Sequence, residues 1–155
     1  MRTADDWFRE YGESHRNGVN KLLHWICVPA IVLSGIGFIW MLPVPRAWTE
    51  VSPWINWASI AMLATLAFYG LISLRLALGM IPVLAAMAWA VLGLAKLPWP
   101  LWLSCTGIFA AAWIGQFIGH AIEGRQPSFF KDLQSLLIGP LWLLGFVYRR
   151  LGLAY

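Results

Sequence analysis

Between Lys21 and Glu123 the chain carries only four charged side chains, Arg46, Glu50, Arg75 and Lys96, in 101 residues. A stretch that long and that uncharged cannot bury all of its apolar surface by folding on itself in water, so lipid must supply the remaining cover. Over all 155 residues the composition is 60% hydrophobic and 12% charged, against roughly 25% charged for soluble domains. A soluble enzyme is excluded first. One membrane domain, residues 1–155, is expected.

Four runs reach the roughly 20 residues that cross a bilayer, 22–42, 55–74, 76–95 and 97–122. Backbone groups in lipid must satisfy one another within a span, so the expected fold is all-α, a polytopic transmembrane helical bundle of about four spans. A fifth run, 133–148, is short for a span and interrupted by Gly139-Pro140, which reads as a short or re-entrant helix. Only Arg75 separates the second and third runs, so these should form a tight helical hairpin. Ahead of the first run, Thr3 and Asp6 have capping-box spacing and open an N-terminal interfacial helix from residue 3 to about residue 16. On it, Trp7, Tyr11 and His15 recur every four residues along one face. No small-residue cleavage site follows the first run, which is expected to stay as an anchor.

Charge sets the expected orientation. With four spans, Arg2, Arg9, Arg16, Lys21, Arg75, Arg125, Lys131, Arg149 and Arg150 fall on one side and Arg46 and Lys96 on the other. The cation-rich side is normally cytoplasmic, so both termini are expected in the cytoplasm, most simply of a bacterial inner membrane. The net charge of +4 flanks apolar runs and forms no continuous basic face, which argues against nucleic acid. Cys27 and Cys105 both lie inside apolar runs and read as buried hydrophobes, not as a disulfide or thiolate site.

The polar residues then stand out. His24 opens the first span, His120 closes the fourth and His15 just precedes the first, so antiparallel topology gathers all three histidines at one membrane face. Ionisable groups at membrane depth are costly and mark function. At about 100° per residue, Gln116, His120 and Glu123 fall at roughly 0°, 40° and 340°, a single stripe. His120 and Glu123, three residues apart, can reach one metal. Glu123 also sits at a helix C-terminus implied by Gly124, where the dipole disfavours a carboxylate; Arg125 or a metal would compensate it. Asn17, Asn20 and His24 share another stripe. His15 lies nine residues before His24, on the opposite side of a continuous helix, so joint ligation requires a break, for which Gly18 offers the place. Histidine and carboxylate donors without thiolates suit non-haem Fe(II), zinc or manganese. A zinc-dependent membrane lipid hydrolase and a haem-binding electron-transfer bundle both remain open at this point.

The stretch Tyr11-Gly-Glu-Ser-His15-Arg-Asn17-Gly-Val-Asn20-Lys-Leu-Leu-His24-Trp-Ile-Cys-Val-Pro29, followed by Gln116-Phe-Ile-Gly119-His120-Ala-Ile-Glu123-Gly-Arg-Gln-Pro127, resembles the membrane family that includes the fungal 2-hydroxy fatty acid dioxygenase of phytosphingosine degradation. Cys27 stands where the pattern favours glycine, and Ser128 where it favours alanine. The resemblance implies an Fe(II)-dependent dioxygenase that removes one carbon from a 2-hydroxy fatty acid by α-oxidation, with O₂ and membrane lipid as its other partners. It makes His15, His24 and His120 the iron ligands and Glu123 a fourth ligand or a supporting partner. Asn17, Asn20 and Gln116 would orient the ligands from behind, and Arg16, Lys21 or Arg125 would hold the substrate carboxylate.

Overall fold

A computed structural model describes residues 2–52, 54–124 and 133–155, and every regular element among them is helical. In chain order these are α1 (Ala4–Gly12), α2 (Gly18–Trp40), α3 (Arg46–Val51), α4 (Trp57–Ile72), α5 (Leu74–Leu94), α6 (Leu101–Glu123) and α7 (Leu133–Arg150). Three of them, α2, α5 and α6, are long and apolar enough to cross a membrane. At 16 residues, α4 rises about 24 Å, short of a hydrocarbon core of about 30 Å.

The axis of the bundle is the pair α2 and α6, which run antiparallel and meet through small residues. Gly37 faces Cys105, Gly115 faces Cys27 and Gly119 faces Asn20, and at each glycine an added Cβ would overlap the partner side chain. Small residues let helix backbones approach in lipid, where apolar burial gives no net drive to pair. Cys27 and Cys105 are therefore packing residues, both free and buried. Outward, α2, α5 and α6 present Leu22, Ile26, Leu78, Trp89, Ile114 and Phe117.

The hairpin breaks two residues earlier than its charge suggests. Ser73, not Arg75, is the hinge: its extended backbone (φ −161°, ψ 118°) ends α4, while its side chain accepts from the Leu76 N–H to start α5. Arg75 then lies inside the first turn of α5. At the opposite end of the bundle, tryptophans gather around α3, with Trp48 against Trp57 and Trp40 against Trp54.

The N-terminal capping box forms, Thr3 Oγ1 accepting from the Asp6 N–H and Asp6 Oδ2 from the Thr3 N–H. Yet α1 stops at Gly12 instead of continuing to residue 16. Past it the backbone tightens into three-residue turns, Glu13 to Glu10, Ser14 to Tyr11 and His15 to Gly12, and the Tyr11 carbonyl is also claimed by the His15 ring. The apolar face of α1 is covered by α7: Ala4, Phe8 and Tyr11 share a buried cluster with Ile138, Leu141, Trp142 and Leu143. α7 runs through Gly139-Pro140 without interruption. It is fastened to the hairpin by hydrogen bonds from the Tyr69 hydroxyl to the Leu137 carbonyl and from the Tyr148 hydroxyl to the Arg75 carbonyl. Those contacts set α1, the start of α2, the Ser73 hinge, the end of α6 and α7 at one end of the molecule.

Candidate metal centre

That end carries the histidines. His15 comes from the segment between α1 and α2, His24 from the second turn of α2 and His120 from the last turn of α6, and all three are at least 97% buried. One ligand nitrogen from each lies within 4.8 Å of the others. Ring centroids are 4.1 Å apart for His15 and His24, 5.0 Å for His15 and His120, and 5.5 Å for His24 and His120. The break demanded by the nine-residue spacing spans residues 13–17, and α2 restarts at Gly18 with Asn17 as its N-cap.

Protonation states follow from the hydrogen bonds. His15 Nδ1 lies 2.7 Å from the Tyr11 carbonyl oxygen, which can only accept, so Nδ1 carries the proton and Nε2 keeps its lone pair. Nε2 is buried with no hydrogen-bond partner. Burial pulls the His15 imidazole down to about 4, against that carbonyl bond, so the ring is neutral at pH 7. On His24, Nε2 meets the Tyr11 hydroxyl at 3.0 Å, while Nδ1 is buried and has no partner. Burial pushes the Tyr11 phenol well above its ordinary value, so it stays protonated. An imidazole with one nitrogen held by a hydrogen bond and the other left without a partner is the form in which histidine ligates a metal. Two such nitrogens are otherwise expensive to bury. The donor set fits a transition metal that accepts imidazole, a group including iron, copper, nickel and zinc.

Glu123 is placed beside this cluster, not in it. Its carboxylate accepts from the backbone N–H groups of Arg16 and Asn17, both at 2.8 Å, and from Asn20 Nδ2 at 3.1 Å. The charge that is unfavourable at the C-terminus of α6 is thereby set against the N-terminus of α2, where unpaired N–H groups welcome it. Backbone donors and one amide do the compensation expected of a cation. Arg125, the structural candidate for that role and one of the carboxylate-binding candidates, lies outside the described residues.

The other residues singled out in the sequence divide. Asn20 is fully buried and bridges the Ser14 carbonyl, at 3.2 Å, to Glu123, with its Oδ1 unpartnered. Asn17 turns away, its side chain accepting from the Val19 N–H at 2.8 Å. Gln116 is buried one turn before His120 on α6, its Nε2 without a partner. The side chains of Arg16 and Lys21 are exposed, and Lys21 is close enough to lower His15 further. Two participants received no role from the sequence. Tyr11 holds two histidines at once, and its i, i+4 spacing to His15 was the available signal. Trp142 packs 5.6 Å from the rings of both Tyr11 and His15; nothing local in α7 announces it.

The comparisons with known proteins agree with this geometry. Residues 1–151 match the family model described as Mpo1-like, 2-hydroxy-palmitic acid dioxygenase. The chain belongs to this family. It is also 30% identical over 143 residues to the 2-hydroxy-palmitic acid dioxygenase MPO1 of Saccharomyces cerevisiae, covering 89% of this chain and 75% of the yeast protein. No solved structure matches the chain. Membership of the Mpo1-like family, a helical bundle compatible with a membrane and three clustered histidines able to hold a metal ion all stand together.

Proposed function

We propose that this protein is a non-haem Fe(II) dioxygenase that shortens 2-hydroxy fatty acids by one carbon, with His15, His24 and His120 as the iron ligands. The observation that carries the reading is the convergence of three buried imidazoles, with an unpartnered ring nitrogen on His15 and on His24, in a chain of the Mpo1-like family. His15, His24 and His120 would hold the iron(II), which when bound would supply the redox chemistry that a reaction of O₂ with a 2-hydroxy acid requires. Tyr11 fixes the ring orientations of His15 and His24. Glu123, through the backbone of residues 16 and 17, fixes the turn that carries His15, a positioning part in place of a fourth ligand. Gln116 Nε2 and Asn20 Oδ1 are buried polar atoms available to orient a ligand or meet a substrate oxygen. Lys21, Arg16 and Arg125 supply cations for the carboxylate head at the membrane surface.

The proposed location is a bacterial inner membrane with four spans, α2, α4, α5 and α6, and both termini cytoplasmic. Arg2, Arg9, Arg16, Lys21, Arg75, Arg149 and Arg150 all belong to the histidine-bearing end, and Arg46 and Lys96 to the other, which supports that orientation.

The test is metal analysis and an absorption spectrum on protein purified anaerobically in mild detergent, beside His24→Ala, followed by O₂ uptake with 2-hydroxypalmitic acid. Near-stoichiometric iron, lost in the variant, and substrate-dependent O₂ consumption are expected. Zinc with oxygen-independent lipid hydrolysis, or a Soret band, would replace the proposal with the hydrolase or the haem bundle.

A further inference from the structure

Below the histidines the bundle holds two adjoining apolar clefts, each partly open to its surroundings. One, of about 180 Å³, lies among α2, α5 and α7 and is walled by Val28, Pro29, Met80 and Pro140 among others. The next, of about 250 Å³, lies among α2, α4, α5, α6 and α7 and reaches Gly35, Ile39, Ala58 and Phe109. They share Val32, Met80, Leu84 and Pro140 as walls. The near end abuts the metal centre: Val28 is one turn past His24, and Gly139 sits where an added Cβ would touch both Val28 and the Tyr11 hydroxyl.

The second cleft is almost wholly apolar. Its two hydroxyl-bearing residues are already engaged, Thr65 with the Ala61 carbonyl and Tyr69 with the Leu137 carbonyl, so its walls offer no free hydroxyl to a polar ligand and suit a hydrocarbon. Gly35 is the odd residue in its wall. Unlike Gly37, Gly115 and Gly119, it relieves no close approach, since an added Cβ would meet nothing within 4 Å. A glycine inside a helix lowers its stability, and here the return is open space.

Resting on the fatty-acid reaction proposed above, we infer that these clefts form the channel for the substrate's hydrocarbon tail and that Gly35 keeps its lower half open to long chains. Gly35 lies eleven residues past His24, about 16 Å along the helix axis. An extended chain advances about 1.2 Å per bond, so a tail anchored at the histidines draws level with Gly35 after about 13 bonds. The tail leaves a bilayer as apolar as the channel, so its selection comes from the contacts the walls make with it and from overlap with them.

The experiment uses the full chain in nanodiscs and reads binding by displacement of a fluorescent fatty acid, with turnover followed separately. The competitors are 2-hydroxydecanoic and 2-hydroxystearic acid. Gly35→Leu is expected to weaken the stearic acid about tenfold, as overpacking does, and to leave the decanoic acid unchanged. Equal weakening of both, or of neither, overturns the channel. Ile39→Ala, which removes wall at the far end, tests the same channel should Gly35→Leu not fold. It is expected to raise affinity for 2-hydroxydocosanoic acid relative to stearic acid, and an unaltered ratio overturns the assignment. A length-selective shift in binding without turnover would keep the channel and sink the dioxygenase reading. Turnover without length selection would do the reverse.

Discussion

Replacing Tyr11 by phenylalanine removes one oxygen atom and asks whether it prepares the metal centre. Ring stacking on His15, with centroids 4.5 Å apart, and the contact with Trp142 survive, as does the backbone carbonyl that holds His15 Nδ1. What is lost is the 3.0 Å bond to His24 Nε2. In the metal-bound form Nδ1 of His24 must present its lone pair, so Nε2 carries the proton and needs an acceptor. Without the hydroxyl that N–H is buried unsatisfied, at about 1–3 kcal/mol. Without metal the ring is free to turn its N–H toward another acceptor, whereas a bound metal fixes the ring, so the penalty falls mainly on the bound state. Metal affinity is expected to drop about 10–100-fold, read by competition with a chromophoric chelator in detergent. Tyr69→Phe is the control, because among the described residues its hydroxyl bonds the Leu137 carbonyl alone; stability should fall with affinity unchanged. An affinity within about threefold of wild type in Tyr11→Phe would refute the positioning role.

Three further outcomes are expected. Glu123→Gln turns an acceptor oxygen into a donor that faces a backbone N–H, so thermal stability should fall by about 1–3 kcal/mol; retained stability would show that the contacts to residues 16, 17 and 20 carry no energy. Gly119→Ala drives a methyl onto Asn20 Oδ1 and should cost about 1–3 kcal/mol, whereas Gly70→Ala, with nothing within 4 Å, should be neutral or stabilising in the same melting assay. In metal-free protein, His15 is held near 4 when folded and titrates near 6.5 when unfolded. Its stabilising effect is complete above 6.5 and is lost as pH falls toward 4, with a slope of up to about 1.4 kcal/mol per pH unit; His15→Ala should flatten the melting temperature over that window, and an unchanged slope would place the acid sensitivity elsewhere.

Sequence reached those parts of the molecule that depend on local pattern. The apolar runs anticipated the long helices, the Thr3 and Asp6 spacing anticipated the first cap, and chain order alone brought three histidines to one end. The break between His15 and His24 was legible because helical periodicity forbids them a common face otherwise. Other features depend on partners far apart in the chain. Glu123 bonds to residues 103 to 107 positions away, so its stripe on α6 showed the direction it faces but not the helix terminus it meets. Tyr11 was visible on the His15 face, yet its bond to His24 requires the chain to fold back after Gly12. The hinge at Ser73 was misplaced by two residues because a charge marks an interface more conspicuously than a serine cap marks a helix start.

The clamp of Glu123 on residues 16 and 17 also fixes when the centre can exist during biogenesis. Two histidines emerge within the first 24 residues and the third only at position 120, with the whole α4–α5 hairpin synthesised between them. Until the far end of α6 is threaded back to the starting face, the third imidazole and the carboxylate that sets the His15 turn are both absent. A nascent or truncated chain therefore lacks the complete set of three histidines until the end of α6 is in place.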